Sequence, residues 1–150
     1  MGATYHETTL GIEILIEPEF IPENSNPKNH YYFFAYHVQI RNAGEQSAKL
    51  VNRHWIIRDG QGMESEVRGE GVVGHQPILK PGESFQYTSF CPLPTPTGNM
   101  RGNFEMILQS GEKVQVRIPL FFLRDLRPVP SPRAHGHSKP LGVPSPSTLH

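Results

Sequence analysis

Apolar and polar positions alternate with a period of two over most of this chain, the spacing that sends successive side chains to opposite faces of a β-strand. Ile12, Ile14 and Ile16 alternate with Gly11, Glu13 and Glu17, and Pro18 is expected to end that strand. PENSNPKN, Pro22 to Asn29, reads as a turn-rich loop. The longest alternation follows, Tyr31 to Asn42, with Tyr32, Phe34, Tyr36, Val38 and Ile40 on one face and Ala35, His37, Gln39 and Arg41 on the other. Tyr31 and Phe33 then point away from the core face. They are either an exposed patch for self-association or a partner, or ordinary core beneath a second sheet.

Ala48 to Arg58 reads as a third strand, closed by the hairpin signal Asp59-Gly60-Gln61-Gly62. Glu64 to Arg68 is a short polar strand, and Glu83 to Phe90 places Phe85 and Tyr87 inward. Asn103 to Gln109 lines up Phe104, Met106 and Leu108, and Val114, Val116 and Ile118 alternate after the turn at Ser110-Gly111. No stretch keeps a 3.6-residue repeat. About seven short strands separated by turn signals predict an all-β sandwich.

At 150 residues the chain has the length of one domain. Its fifteen Pro and fourteen Gly interrupt helices, which strengthens the β reading. Lys plus Arg and Asp plus Glu both number 14, so no strong field gathers nucleic acid or an acidic membrane surface, and neither partner is expected. No apolar run is long enough to cross a bilayer as a helix. The first twenty residues lack the order of a signal peptide, and the single Cys91 can form no internal disulfide; both point to the cytoplasm. The domain is expected over residues 1–126. Residues 127–150 hold six Pro and three His with scattered apolar positions, and read as a disordered Pro/Ser/His-rich tail whose removal leaves stability unchanged.

Gly69-Glu70-Gly71-Val72-Val73-Gly74 spells G-x-G-x-x-G, which in a dinucleotide fold lets backbone approach a pyrophosphate at a helix N-terminus. Pro77 and Pro81 follow too soon for that helix to form, so a Rossmann site is excluded. A looser candidate stands: an anion-binding loop made by Arg68, Gly69, Gly71, Gly74 and His75. The competing reading is that these glycines shape a tight turn or bulge. His135 and His137 are the only closely spaced histidines, and His6, His30, His37, His54 and His75 show no ligand spacing, so no metal site and no cofactor are expected. Cys91, in Cys-Pro-Leu-Pro-Thr-Pro, has no helix N-terminus to activate it, and no Ser lies in a nucleophile elbow; no catalytic residue is expected. The loop from Cys91 to Gly98 is either a rigid recognition loop or a seal at one end of the sandwich.

YFFAYHVQIRN (Tyr32 to Asn42), RHWIIRD (Arg53 to Asp59), VRGEGVVGHQPILKPGESFQYTS (Val67 to Ser89) and CPLPTPTGNMRG (Cys91 to Gly102) together resemble the hallmark stretches of the ApaG family, over residues 10 to 126. Glu70 stands where that family usually has Pro, and Phe90 where Gly is common. The resemblance implies a fibronectin type III-like, or immunoglobulin-like, β-sandwich in a bacterial cytoplasmic protein associated with cobalt and magnesium efflux. It brings no catalytic residues, and related domains in eukaryotic F-box and polymerase-interacting proteins act as interaction modules. The expected activity is therefore non-enzymatic binding of a protein partner, with dimerisation through an edge strand or exposed face. The alternative is a pyrophosphate, nucleotide or other anion, or a divalent cation, held at the Gly-rich loop.

Overall fold

A computed structural model describes residues 3–127; the expected tail beyond Arg127 lies outside the described residues. The strands are β1 (Tyr5–Thr9), β2 (Ile12–Phe20), β3 (Tyr32–Asn42), β4 (Ala48–Asp59), β5 (Glu64–Glu70), β6 (Ile78–Leu79), β7 (Ser84–Leu93), β8 (Thr97–Leu108) and β9 (Lys113–Arg124). They form two antiparallel sheets, ordered β1-β2-β3-β7 and β5-β4-β8-β9, with β6 also paired to β4. The sheets pack as a sandwich, which accords with the all-β reading. Two 3₁₀ turns, Pro22–Asn24 and Pro27–Asn29, fill the loop between β2 and β3.

The inward positions of both sheets make one core. Trp55 sits at its centre with edge-on contacts to Tyr36, Phe104 and Phe121 at ring centroid distances of 5.3, 6.2 and 5.9 Å. The indole is fully buried above Gly102, its register partner on β8, where a Cβ would collide with the His54 carbonyl. Ile12, Ile14 and Ile16 enter the same core, as their alternation requires.

Several boundaries differ from the expected ones. β2 runs through Pro18 to Phe20, because β1 pairs with β2 only as far as Ile16. Beyond that point no strand among the described residues pairs with that side of β2, so the missing donor is tolerated. β1 escaped notice because Tyr-His-Glu-Thr-Thr has no run of apolar positions, and β6 because two residues carry no period. The expected strand starting at Asn103 begins six residues earlier, at Thr97, and β7 extends to Leu93. Cys91, Leu93 and Thr95 are buried, and Thr95 Oγ1 accepts from the Gly60 amide and donates to the Thr97 carbonyl, both at 2.7 Å. The Cys91–Gly98 segment therefore seals one end of the sandwich.

A β-bulge between Leu50 and Asn52 matters most for the site. Ala48 and Leu50 are buried before it, Trp55 and Ile57 after it, so the inward parity changes from even to odd. That change brings Arg53 to the inner face, in register with the buried Phe104.

Candidate functional site

The Gly-rich stretch is the end of β5 and a tight hairpin beyond it. Arg68, Gly69 and Glu70 continue β5, in register with His54, Arg53 and Asn52 of β4. Val72 and His75 then exchange both backbone hydrogen bonds, at 2.8 and 2.9 Å, around the two-residue tip Val73-Gly74. Both tip residues have positive φ, 41° and 83°, the geometry of a primed hairpin turn. The Gly71 amide donates to the carbonyl of Val51, the bulge residue, at 2.8 Å. Gln76 Nε2 donates to the same carbonyl at 2.9 Å.

Two of the glycines have evident steric reasons. Gly69 faces Arg53, and a Cβ there would lie 2.8 Å from Nη1 and 2.9 Å from Cζ of the guanidinium. Gly71 has φ +63°, and a Cβ on it would run into the His75 carbonyl. Gly74, at φ +83°, faces open space. The amides of Gly71, Val72 and His75 are used within the fold, which leaves Val73 and Gly74 at the tip. Arg68 and His75 leave the hairpin on different sides. Arg68 reaches Glu66 at 3.8 Å on the outer face, while the His75 ring packs 5.7 Å from Phe85 of the facing sheet.

Arg53 is the residue that pattern reading missed here. Its Nη1 donates to the Glu70 and Gly71 carbonyls at 2.9 and 3.1 Å, tying the end of β5 to β4. The signal was indirect: only the bulge turns a charged residue inward, and a bulge leaves no mark in a residue count. Behind Arg53 lie the hydroxyls of Tyr36 and Tyr87. Burial raises the pKa of both, Tyr36 is hydrogen-bonded to Ser89, and the cation of Arg53 opposes the shift. The Tyr87 hydroxyl is buried with no hydrogen-bond partner among the described residues.

Beside the end of β5, a shallow groove of about 410 Å³ is lined by the candidate residues Arg68 and Gly69 together with Arg53 and Glu70, and continues past Asn52, His54, Asn103, Glu105 and Gln115. Glu105 accepts from Asn52 at 2.8 Å and Gln115 at 3.2 Å, whereas His54 Nε2 is buried 3.6 Å from Glu66 with no hydrogen-bond partner among the described residues. On the other sheet His37 spans Thr88 and Glu19 at 2.8 and 3.0 Å. Among the described residues no group of three or more His, Cys, Asp and Glu is placed to hold a metal ion. His135 and His137 lie outside them. Cys91 is fully buried, and burial pushes its thiol pKa well up, the opposite of an activated nucleophile.

The aromatic residues of β3 form the second candidate surface. Phe33 lies on the outer face of the smaller sheet, stacked on Phe90 of β7 at 5.4 Å and 22° between ring planes. Tyr31 extends the row at 6.2 Å from Phe33. Beneath the rings, Ala35 and Pro92 are buried although they too face outward. Phe90 remains 39% exposed. No second layer covers Tyr31 and Phe33 among the described residues, so they form a surface patch. Phe90 could have been assigned to it from parity, since Phe85 and Tyr87 occupy the opposite face of the same strand.

The sequence profile of the ApaG domain family matches residues 22–108. A protein named Protein ApaG from Afipia carboxidovorans is 50% identical over 119 residues, 79% of this chain and 92% of that protein. A namesake from Rhodospirillum centenum is 47% identical over 136 residues, 91% of this chain and 98% of that protein. The crystal structure of the ApaA protein from Bordetella pertussis superposes with a TM-score of 0.75 at 44% identity, covering 84% of this chain and 99% of that one.

Proposed function

The chain belongs to the ApaG domain family, and from that premise we propose that it is a non-enzymatic module that binds a protein partner through the aromatic outer face of β3 and β7. The observation that carries this reading is the stacked pair of half-buried Phe33 and exposed Phe90, with half-buried Tyr31 beside them, held on a rigid sheet. Aromatic rings fixed by strand pairing lose little side-chain freedom on contact and offer large apolar area, the qualities of interface anchors. The partner works in the cytoplasm, and the link to cobalt and magnesium efflux lies with that partner. Among the described residues no helix is long and apolar enough to cross a membrane.

The second reading keeps a pyrophosphate, nucleotide or divalent cation at Arg68, Gly69, Gly71, Gly74 and His75. The exposed hairpin tip at Val73 and Gly74 favours it. Against it, three neighbouring amides are committed to the fold and Arg68 and His75 diverge.

One paired experiment separates the two. A photo-crosslinking residue is placed at Tyr31 in producing cells, with Lys113 on the other sheet as control, and the purified protein is titrated calorimetrically with pyrophosphate, nucleotides, Co²⁺ and Mg²⁺. A discrete adduct from position 31 alone, heavier by a mass other than that of a second chain, and silent titrations are the expected result. Micromolar binding abolished by Arg68→Ala, with no adduct, would transfer the function to the hairpin. Gly71→Ala is unsuitable for this test, because the Cβ collides with the backbone of His75.

A further inference from the structure

A sandwich must protect the edges of its sheets, since an unpaired strand edge is a template for another strand. The edges of the smaller sheet are β1 and β7, and those of the larger are β9 and the β5–β6 side. β1 and β9 pack against each other and cover one side of the molecule. On the other side, β5 carries Glu64, Glu66, Arg68 and Glu70 within its seven residues, charges that discourage pairing. β6, on that side, is only two residues long, and β7 differs from β1, β5 and β9. Its ten residues, Ser-Phe-Gln-Tyr-Thr-Ser-Phe-Cys-Pro-Leu, include no charged side chain, and among the described residues it pairs with β3 alone. Pro92 lacks a donor and blunts the last turn of the strand, which leaves Ser84 to Cys91 as an unguarded edge.

We propose that β7 pairs antiparallel with β7 of a second copy of this chain, joining the two four-stranded sheets across a twofold axis. This deepens the reading of the chain as a protein-binding module and rests on it.

A second copy fits this edge for three reasons. Twofold pairing sets a strand against itself, so any charge near the axis meets its own kind; β7 has none, whereas β5 would repel its copy. The formal net charge of the chain is zero, so no long-range repulsion opposes approach. The pairing also closes, because β5 is guarded by charge and β1 and β9 cover each other, so the product is a dimer and not a fibre. Opposite residues of an antiparallel pair share a face. Gln86, Thr88 and Phe90 of the two copies therefore meet on the outer face, with Phe90 of one copy opposite Gln86 of the other when the axis passes through Thr88.

Sedimentation equilibrium of the full chain over a wide concentration range tests the proposal. Gln86→Lys is exposed and puts like charges near the axis, while Gln39→Lys places the same charge on the same face of the inner strand β3. Circular dichroism first establishes that both variants fold. The expected result is twice the 16.9 kDa chain mass for the parent and for Gln39→Lys. Gln86→Lys should weaken association by about tenfold or more. A monomeric parent at every concentration would overturn the proposal and give the edge to an extended segment of another protein. A dimer that survives Gln86→Lys, or one that Gln39→Lys also dissociates, would overturn it too. A monomer leaves the crosslink at position 31 untouched, and a missing crosslink leaves the dimer mass untouched, so the two readings fail separately.

Discussion

The guanidinium of Arg53 lies across the α-carbon of Gly69, so close that a methyl group there would sit 2.8 Å from Nη1. In the motif as a string of letters, the first glycine suggests a phosphate. In the fold it makes room for a cation that bonds the carbonyls of the next two residues. The strand edge, the bulge at Val51 and the hairpin are thereby fastened at one point.

Gly69→Ala should therefore displace Arg53 and loosen its bonds to Glu70 and Gly71. The expected loss is about 1–3 kcal/mol, the range for inserting a methyl into a packed site. Urea denaturation of Gly69→Ala, Arg53→Ala and the double variant measures it. The double variant should lose less than the sum of the singles, because the added methyl then meets no side chain. Strict additivity would show that Arg53 and Gly69 do not constrain each other.

The other two glycines should separate cleanly. Gly74→Ala meets no atom, so only the left-handed backbone opposes it, at about 1–2 kcal/mol. Gly71→Ala carries a similar backbone penalty and also drives a Cβ into the His75 carbonyl, so the hairpin must open. Thermal melts should rank Gly71→Ala well below Gly74→Ala. Equal melting temperatures would mean that the Val72–His75 bridge is not rigid.

Period-two alternation was sufficient to find β3, β4 and the apolar faces of β8 and β9, because each of those strands has one face in the core. It could not find β1, which is an edge strand with polar residues on both faces, or β6, which is two residues long. Pro18 misled for a physical reason: it ends a strand only where a donor is needed, and need depends on whether a neighbour is present. For the Gly-rich loop, the glycine spacing located a tight turn but not the side chain that anchors it. Arg53 follows Asn52 in an ordinary polar stretch, and only a bulge, invisible in composition, turns it inward. The aromatic patch was half visible, since parity put Tyr31 and Phe33 opposite the core but left open whether a sheet covered them.

Tyr87 offers a test of the interior beside Arg53. Its hydroxyl is buried with no partner among the described residues, while Tyr36 is bonded to Ser89. An unsatisfied buried hydroxyl costs about 1–3 kcal/mol, so Tyr87→Phe should raise stability by about 1 kcal/mol. Tyr36→Phe, which removes the bond to Ser89, should lower it. A destabilised Tyr87→Phe would mean that the hydroxyl makes a bond in solution, and that Arg53 holds a polar network together.

Alkaline pH should expose the same buried groups. Burial raises the pKa of the Cys91 thiol and the Tyr36 and Tyr87 hydroxyls in the fold, whereas an unfolded chain titrates near 8.5 for Cys and 10 for Tyr. Above those unfolded values the unfolded chain has released protons that the folded chain still holds, so stability falls as pH rises. Below about 8.5 these groups contribute no slope, since both states keep their protons. Unfolding free energy from urea titrations should thus be flat with respect to these three groups from neutrality to about pH 8 and decline beyond, by up to about 1.4 kcal/mol per pH unit for each group engaged. Cys91 should act first, so Cys91→Ala should move the onset of the decline toward pH 10 while lowering stability at neutrality through the cavity it leaves. An unchanged onset in Cys91→Ala would mean that the thiol ionises as readily in the fold as outside it, and that this end of the sandwich admits water.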